Sequence, residues 1–298
     1  MRWVRDYQPE PEKNILFRRA LIITLGGNIL LAVSKGIAAS LSGSAALYAD
    51  AANSISDVAY SLLMVLGLWM AQRPPDLSHP QGHSRFEPLV GLMVTLSMAF
   101  AGYEAARNSI ERFIAGGSTI ELGLPVLVLL MAAAGKAGMY IAIRNIGQKV
   151  NSPTLATTAA DNLSDMLTSA AAFLGIIGTT IWPLLDPIAG ILVALWIFRA
   201  VFNAGRENLK FLTGAGASEE LRKQIVAVAE SIPGVLHVHH TMTDYVGPKL
   251  MVDLHINVDG AMTLSEAHLI SDEVIRRLQQ LPDVDRAYVH IEPDGWDD

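Results

Sequence analysis

Two apolar stretches of this sequence carry acids at helical spacing. YADAANSISD holds Asn53 and Asp57, and TTAADNLSD holds Asp161 and Asp165. An i, i+4 spacing stacks two side chains on one helix face, one turn apart. A carboxylate at mid-membrane costs about 2.5–3.5 kcal/mol even on a lenient insertion scale, so it needs a reason to be there. Four oxygen donors on two helices form a compact cage for a divalent cation, and binding metal or protons neutralises three carboxylates. A lone Asn such as Asn53 serves equally well as a hydrogen-bonding residue between helices; two matched pairs with three Asp do not reduce to that. Asp50 shares the face of Asn53 and Asp57 one to two turns outward, either as a hydrogen-bonding helix residue or as a ligand on the release side. Of two lysines in apolar surroundings, Lys35 can snorkel to the outer interface, and the deeper Lys136 is a candidate counter-ion for the Asp cluster.

The elements that must hold these residues follow from composition. Of 298 residues 51% are hydrophobic and 17% charged, and mean hydropathy is +0.34, too apolar for an ordinary soluble domain. Apolar segments recur at about 18–40, 44–71, 86–112, 121–146, 154–181 and 184–206, each long enough to cross a core of about 30 Å. Six transmembrane helices are therefore predicted. The connections SLSGS and TIWPLLDP lack Lys and Arg, whereas the N-terminal segment, the 72–85 loop and the 144–149 loop contain them. The positive-inside rule then puts both termini in the cytosol. Helix two runs inward and helix five outward, so the two pairs meet near mid-membrane. No secretory signal is read in the charged first residues. Without Cys, disulfide scaffolds, thiolate zinc fingers and thiol catalysis are excluded. No HExxH, no cofactor loop and no Ser nucleophile with a base is present, so an enzyme is not expected.

The net charge of −7 is uneven: residues 215–298 carry 15 acidic against 6 basic residues and six of the eight His. There the periodicity turns water-soluble, with helices over 218–231 and 263–280 and strands over 236–245, 249–258 and 284–292. The α-β-β-α-β order predicts a small ferredoxin-like α+β domain after an all-α membrane domain. The expected organisation is a cytosolic tail at 1–17, a transport domain at 18–212 and a cytosolic metal-binding and dimerisation domain at 213–298. At this size dimerisation or bound metal would aid its stability.

These residues resemble the cation diffusion facilitator family of divalent-metal/proton antiporters over essentially the whole chain. The paired NSISD and DNLSD stretches carry the likeness. The loop DLSHPQGHSRFE is its most specific part, since Asp76, His79 and His83, with Glu87 behind them, match the family's D-x-x-H-P-x-G-H pattern. The resemblance implies that Asn53, Asp57, Asp161 and Asp165 form the transport site. Zinc and cadmium members usually have His where this chain has Asp161. An all-oxygen set suits Mn²⁺, Mg²⁺ and, less well, Fe²⁺, whereas imidazole favours Zn²⁺. The N-D-D-D set resembles the manganese-exporting branch, which makes Mn²⁺ the first substrate and Fe²⁺ the next, with Zn²⁺, Cd²⁺ or Co²⁺ efflux by the same mechanism the alternative. Asp76, His79 and His83 are spaced to converge on one ion at the cytosolic mouth, or else form a solvated loop.

In the tail, His239, His255, His268, His290 and Glu292 match positions of a binuclear site between strands. His290 and Glu292, at i, i+2, share one side of a strand. His237 and His240 stand close enough to substitute for His239, and solvated surface His in an acidic domain is the competing reading. A salt bridge made in zinc members by the residue matching Arg85 is not expected, because Gly214 stands at the partner position. The resemblance also implies a homodimer in the bacterial cytoplasmic membrane, with metal and protons as substrates, no prosthetic group and no nucleic-acid partner. A membrane-anchored metal sensor or scaffold is the alternative, which three buried carboxylates would not serve.

Overall fold

The computed structural model describes residues 3–6, 10–42, 45–116, 124–178, 182–281 and 283–295. It divides into two compact units, 1–209 and 210–298.

The first unit is helical: α1 (Pro11–Ser42), α2 (Ala45–Ala71), α3 (Phe86–Ile114), α4 (Leu124–Val150), α5 (Pro153–Gly178) and most of α6 (Leu185–Leu212). Pro11 suits a first helical position, where its missing N–H is not needed. Five described helices, α1, α2, α3, α4 and α6, contain spans long and apolar enough to cross a membrane. α5 is also 26 residues long, but TTAADNLSD lowers its hydropathy at the point where chemistry is expected. Leu30, Leu66, Leu96 and Phe100 are exposed, as they would be against lipid chains. Inside, Met64, Leu68, Val90, Ile143, Leu155 and Ala159 join in one apolar cluster, and α1 packs on α2 and α4, and α5 on α3 and α4.

Two sequence expectations need correction here. The predicted 144–149 loop is helical, because α4 runs on to Val150. Asn151 turns the chain at φ +53°, a left-handed conformation that Asn tolerates at a helix C-terminus. Ser152 then caps α5, its Oγ accepting from Leu155 N at 3.1 Å, and Pro153 opens the helix. Lys149 so lies in the last turn of α4, where a cation favours the helix dipole. The second correction is Lys35: its side chain is buried instead of reaching out to an interface.

At the start of α3, buried Glu87 ties this corner together. Its carboxylate accepts a short hydrogen bond from Ser152 Oγ, and its carbonyl accepts from Thr154 Oγ1 at 2.5 Å. Further along, Asn208 of α6 donates from Nδ2 to Thr157 Oγ1 of α5 at 2.8 Å.

The second unit contains α7 (Glu219–Glu230), β1 (His237–Val246), β2 (Lys249–Val258), α8 (Leu264–Leu278) and β3 (Val284–Pro293), within a few residues of the predicted bounds. Ser218 caps α7, and a capping box of Thr263 and Glu266 starts α8, satisfying two otherwise unpaired amides. Gly247 at φ +64° with Pro248 makes the two-residue turn between β1 and β2. The sheet order is β1-β2-β3, antiparallel between β1 and β2 and parallel between β2 and β3, the parallel step being crossed by α8. Leu250, Val252, Leu254, Ile256 and Val258 alternate onto one face and bury against Ile225 and Ala229 of α7 and Val274 and Leu278 of α8. Among the described residues of this unit no helix packs on the other face, which carries His239, His255 and His290.

Candidate metal centres

Helix register sets the geometry in the membrane domain. Asp57 lies 12 positions into α2, Lys136 12 positions into α4 and Asp165 12 positions into α5, each roughly 18 Å along its helix. They meet: Lys136 Nζ is 2.9 Å from Asp57 Oδ2 and 2.6 Å from Asp165 Oδ2. Lys136 is 5% exposed, so two carboxylates and one ammonium converge where three helices touch. Asp161, one turn before Asp165, faces a cavity that also touches Asp57, Asn28, Ser61, Thr24 and Asn162. Asn28 Nδ2 donates to Ser61 Oγ at 2.8 Å, and Ser61 Oγ donates to the Asp57 carbonyl at 2.7 Å. Thr24 Oγ1, Asn28 Oδ1 and Asn162 Nδ2 are buried without a hydrogen-bond partner, leaving polar capacity for a hydrated ion. The side chains of Asn53 and Asp50 fall outside the described residues. Sequence patterns do not single out Asn28, Ser61 and Asn162; the available signals are that Asn162 directly follows Asp161 and that an Asn stands at position 28 within an apolar helix.

The loop between α2 and α3 folds around Asp76. Its Oδ1 accepts from Ser78 N at 2.9 Å and from His79 N at 2.7 Å, an Asx-type arrangement. These amides, the His79 amide first, hold its carboxyl below the usual range. Gly82 at φ +92° returns the chain so that His79 Nδ1 lies 3.4 Å from Asp76 Oδ1 and His83 Nε2 3.3 Å from Asp76 Oδ2. Each residue offers one atom within 4.8 Å of the others. His83 is buried, and its Nδ1 has no hydrogen-bond partner. Such a one-carboxylate, two-imidazole set suits a first-row divalent ion. Arg85 follows at the N-terminus of α3 without a side-chain cap.

In the sheet, two bulges aim the histidines. In β1 the register shifts between Val238 and His240, so His239 and His240 both lie against His255. In β3 it shifts after Val284, which pairs with Leu250, so that Met251 meets Arg286 and Asp285 is the extra residue. Each extra residue flips the alternation. Ala287 therefore joins the core, whereas His290 pairs with His255 and Glu292 with Asn257 on the helix-free face. Buried Glu292 sits at the centre, with Oε1 3.1 Å from His255 Nδ1 and 3.4 Å from His290 Nε2. Its Oε2 is 3.2 Å from His239 Nε2, yet the two atoms form no hydrogen bond and each lacks a partner. Close lone-pair donors without a proton geometry between them fit a shared cation. His239, His255 and Glu292 place their donor atoms within 4.8 Å of one another.

His239 is thus the member of LHVHH that reaches the cluster. Its Nδ1 is 2.5 Å from Asn257 Oδ1, a contact that fixes the ring and leaves Nε2 inward. Asn257 is not singled out by the sequence, although its position two residues after His255 puts it on the same face. His240 packs its ring on His255 at 4.8 Å, and His237 lies 6.2 Å from the His239 ring. His268 stands on α8, with Nε2 3.7 Å from Asp272 on an exposed helix face, and is not in the His239 cluster.

The membrane unit and its acids coincide with a known sequence profile: the profile described as the cation efflux transmembrane domain matches residues 21–213. The chain belongs to the cation efflux family. A second profile, the cytoplasmic domain of cation efflux proteins, matches residues 217–294. An uncharacterised transporter of Methanocaldococcus jannaschii is 34% identical over 275 residues, covering 92% of this chain and 97% of the relative. The manganese efflux system protein MneS of Bacillus subtilis is 28% identical, over 91% of this chain and 94% of its own length. The magnetosome protein MamM of Magnetospirillum gryphiswaldense is 30% identical, over 87% of this chain and 85% of its own. This cation efflux protein is accordingly a multi-pass membrane transporter of metal cations, not an enzyme, with a small cytoplasmic domain of the dimerising type.

Proposed function

We propose that the chain exports a divalent metal from the cytosol by proton antiport, Mn²⁺ first and Fe²⁺ second, through Asn53, Asp57, Asp161 and Asp165. The reading rests on one observation above the others: Asp57 and Asp165 converge on a single point, with Asp161 opening on the adjoining polar cavity. Hard carboxylate oxygens without imidazole favour Mn²⁺ over Zn²⁺, and the name of MneS, a manganese efflux protein, agrees. Metal and protons compete for the same oxygens, so alternating access can exchange one for the other.

α5 is taken as the sixth span, giving a membrane domain at 18–212 and a cytosolic domain at 213–298, with both termini cytosolic in a bacterial cytoplasmic membrane. The protein is taken to act as a homodimer. Asp76, His79 and His83 would hold metal at the cytosolic mouth. His239, His255, His290 and Glu292 would sense it in the cytosolic domain, with His268 outside that cluster in the single chain. The test is initial metal flux into proteoliposomes under a proton gradient, with Mn²⁺, Fe²⁺, Zn²⁺ and Cd²⁺ compared. Mn²⁺ should be fastest, and Asp57→Ala and Asp165→Ala should each abolish it in folded protein; near wild-type Mn²⁺ flux in either variant refutes the site.

A further inference from the structure

A buried ammonium needs compensating charge, and Lys136 of α4 takes it from Asp57 on α2 and Asp165 on α5, at 2.9 and 2.6 Å. Those are two of the carboxylates assigned to transport. We propose that Lys136 is the resident cation of the transport site, a tethered competitor that holds the gap between Asp57 and Asp165 and must be displaced before metal engages both. The inference rests on the reading of these acids as transport ligands.

The chemistry of lysine suits that role. Its ammonium is a compact point charge on a flexible stem, able to leave by stem rotation, whereas a guanidinium would lock both carboxylates in a rigid fork. Asp161, Asp57, Asn28 and Asn162 line a cavity that does not include Lys136, so an ion held there can reach Asp57 and Asp161 beside the ammonium. To gain Asp165 it must move the ammonium aside. The ammonium keeps each oxygen at 2.6–2.9 Å, while divalent ions from Mg²⁺ to Ca²⁺ draw oxygens in to roughly 2.0–2.6 Å. The exchange therefore brings α2 and α5 closer, which links occupancy to helix approach. A built-in competitor also weakens metal binding and, by returning, speeds release.

The experiment uses the full chain in proteoliposomes and reads initial Mn²⁺ flux against Mn²⁺ concentration. In Lys136→Met and Lys136→Gln the half-saturating Mn²⁺ should fall at least about tenfold, with a lower maximal rate, because the competitor is gone. Lys136→Arg keeps the charge and tightens the clamp, so half-saturation should rise at least about tenfold. A purely structural role for Lys136 would not lower half-saturation in any variant. Where a variant is too slow to assay, Mn²⁺-dependent thermal protection in detergent reads Mn²⁺ affinity directly, with the same direction of change expected, in an Asp76→Ala, His255→Ala background that removes the cytosolic clusters. Half-saturation that is unchanged or raised in the Met and Gln variants, or unchanged in the Arg variant, overturns the proposal. If Asp165→Ala still transports Mn²⁺ normally, the transport-site reading has failed instead. If Asp165→Ala is inactive while the Lys136 variants keep wild-type half-saturation, only the competitor has failed.

Discussion

Glu292→Gln is the sharpest probe of the cytosolic cluster. The substitution keeps shape and burial and removes the one carboxylate that His239, His255 and His290 approach at 3.2, 3.1 and 3.4 Å. Among the described residues it is the only acid of that cluster, so its loss leaves neutral donors. The unit 210–298 has its own apolar core, and the isolated domain is a suitable sample. A divalent ion present at 100 times its Kd stabilises the folded form by about 2.7 kcal/mol. At about 4–8 °C per kcal/mol for a domain of this size, that is a rise of roughly 10–20 °C in Tm. Loss of a charged ligand should weaken binding at least about 100-fold, leaving about 0.4 kcal/mol, or roughly 2–3 °C, at the same metal concentration. Differential scanning fluorimetry with Mn²⁺, Fe²⁺ and Zn²⁺ reads both proteins, and the metal-free curve of each is the control. A Gln variant that responds to metal as the wild type does, or a wild type that responds to none of the three ions, would refute the cluster as a metal site.

Asp161→His should raise the Zn²⁺/Mn²⁺ ratio of initial flux rates, because a borderline nitrogen replaces a hard oxygen at an unchanged helix position; a ratio that stays or falls counts against ligand type as the source of selectivity. Gly91→Ala should destabilise the membrane domain by about 1–3 kcal/mol, since a Cβ there would lie 1.9 Å from Asn208 Oδ1 and push Asn208 off Thr157; a detergent melting curve equal to wild type would contradict this. Glu273, hydrogen-bonded by Arg276 and then Arg277, has its carboxyl held down to about 2. A depressed folded value stabilises above the unfolded value near 4.5 and is lost as pH falls towards 2. Glu273→Gln should therefore flatten the fall of domain Tm between about pH 4.5 and pH 2, and an unchanged slope would show that the pair contributes nothing measurable.

Periodicity alone determined most of the architecture. Five long apolar helices and the α-β-β-α-β tail were readable because hydrophobic spacing reports directly which face of each element is buried. Asp57 in α2 and the i, i+4 pair Asp161 and Asp165 in α5 stood out in the sequence because charge within an apolar run is costly wherever it sits. Local signals failed where a single residue changes the path of the chain. Arg144 and Lys149 suggested a loop, but Asn151 in a left-handed conformation and the Ser152 cap let α4 run on to Val150. The choice among His237, His239 and His240 was closed to the sequence, because a strand read from alternation assumes an unbroken register. The bulges at His239 and Asp285 break it in both outer strands and bring His239, His255 and Glu292 onto one face. Likewise, the sequence offers Lys136 as a candidate counter-ion for the acids of α2 and α5 but does not say which carboxylates it bridges. That Lys136 lies between Asp57 and Asp165 was decided by the packing of three helices, whose relative rotation and height depend on contacts between elements.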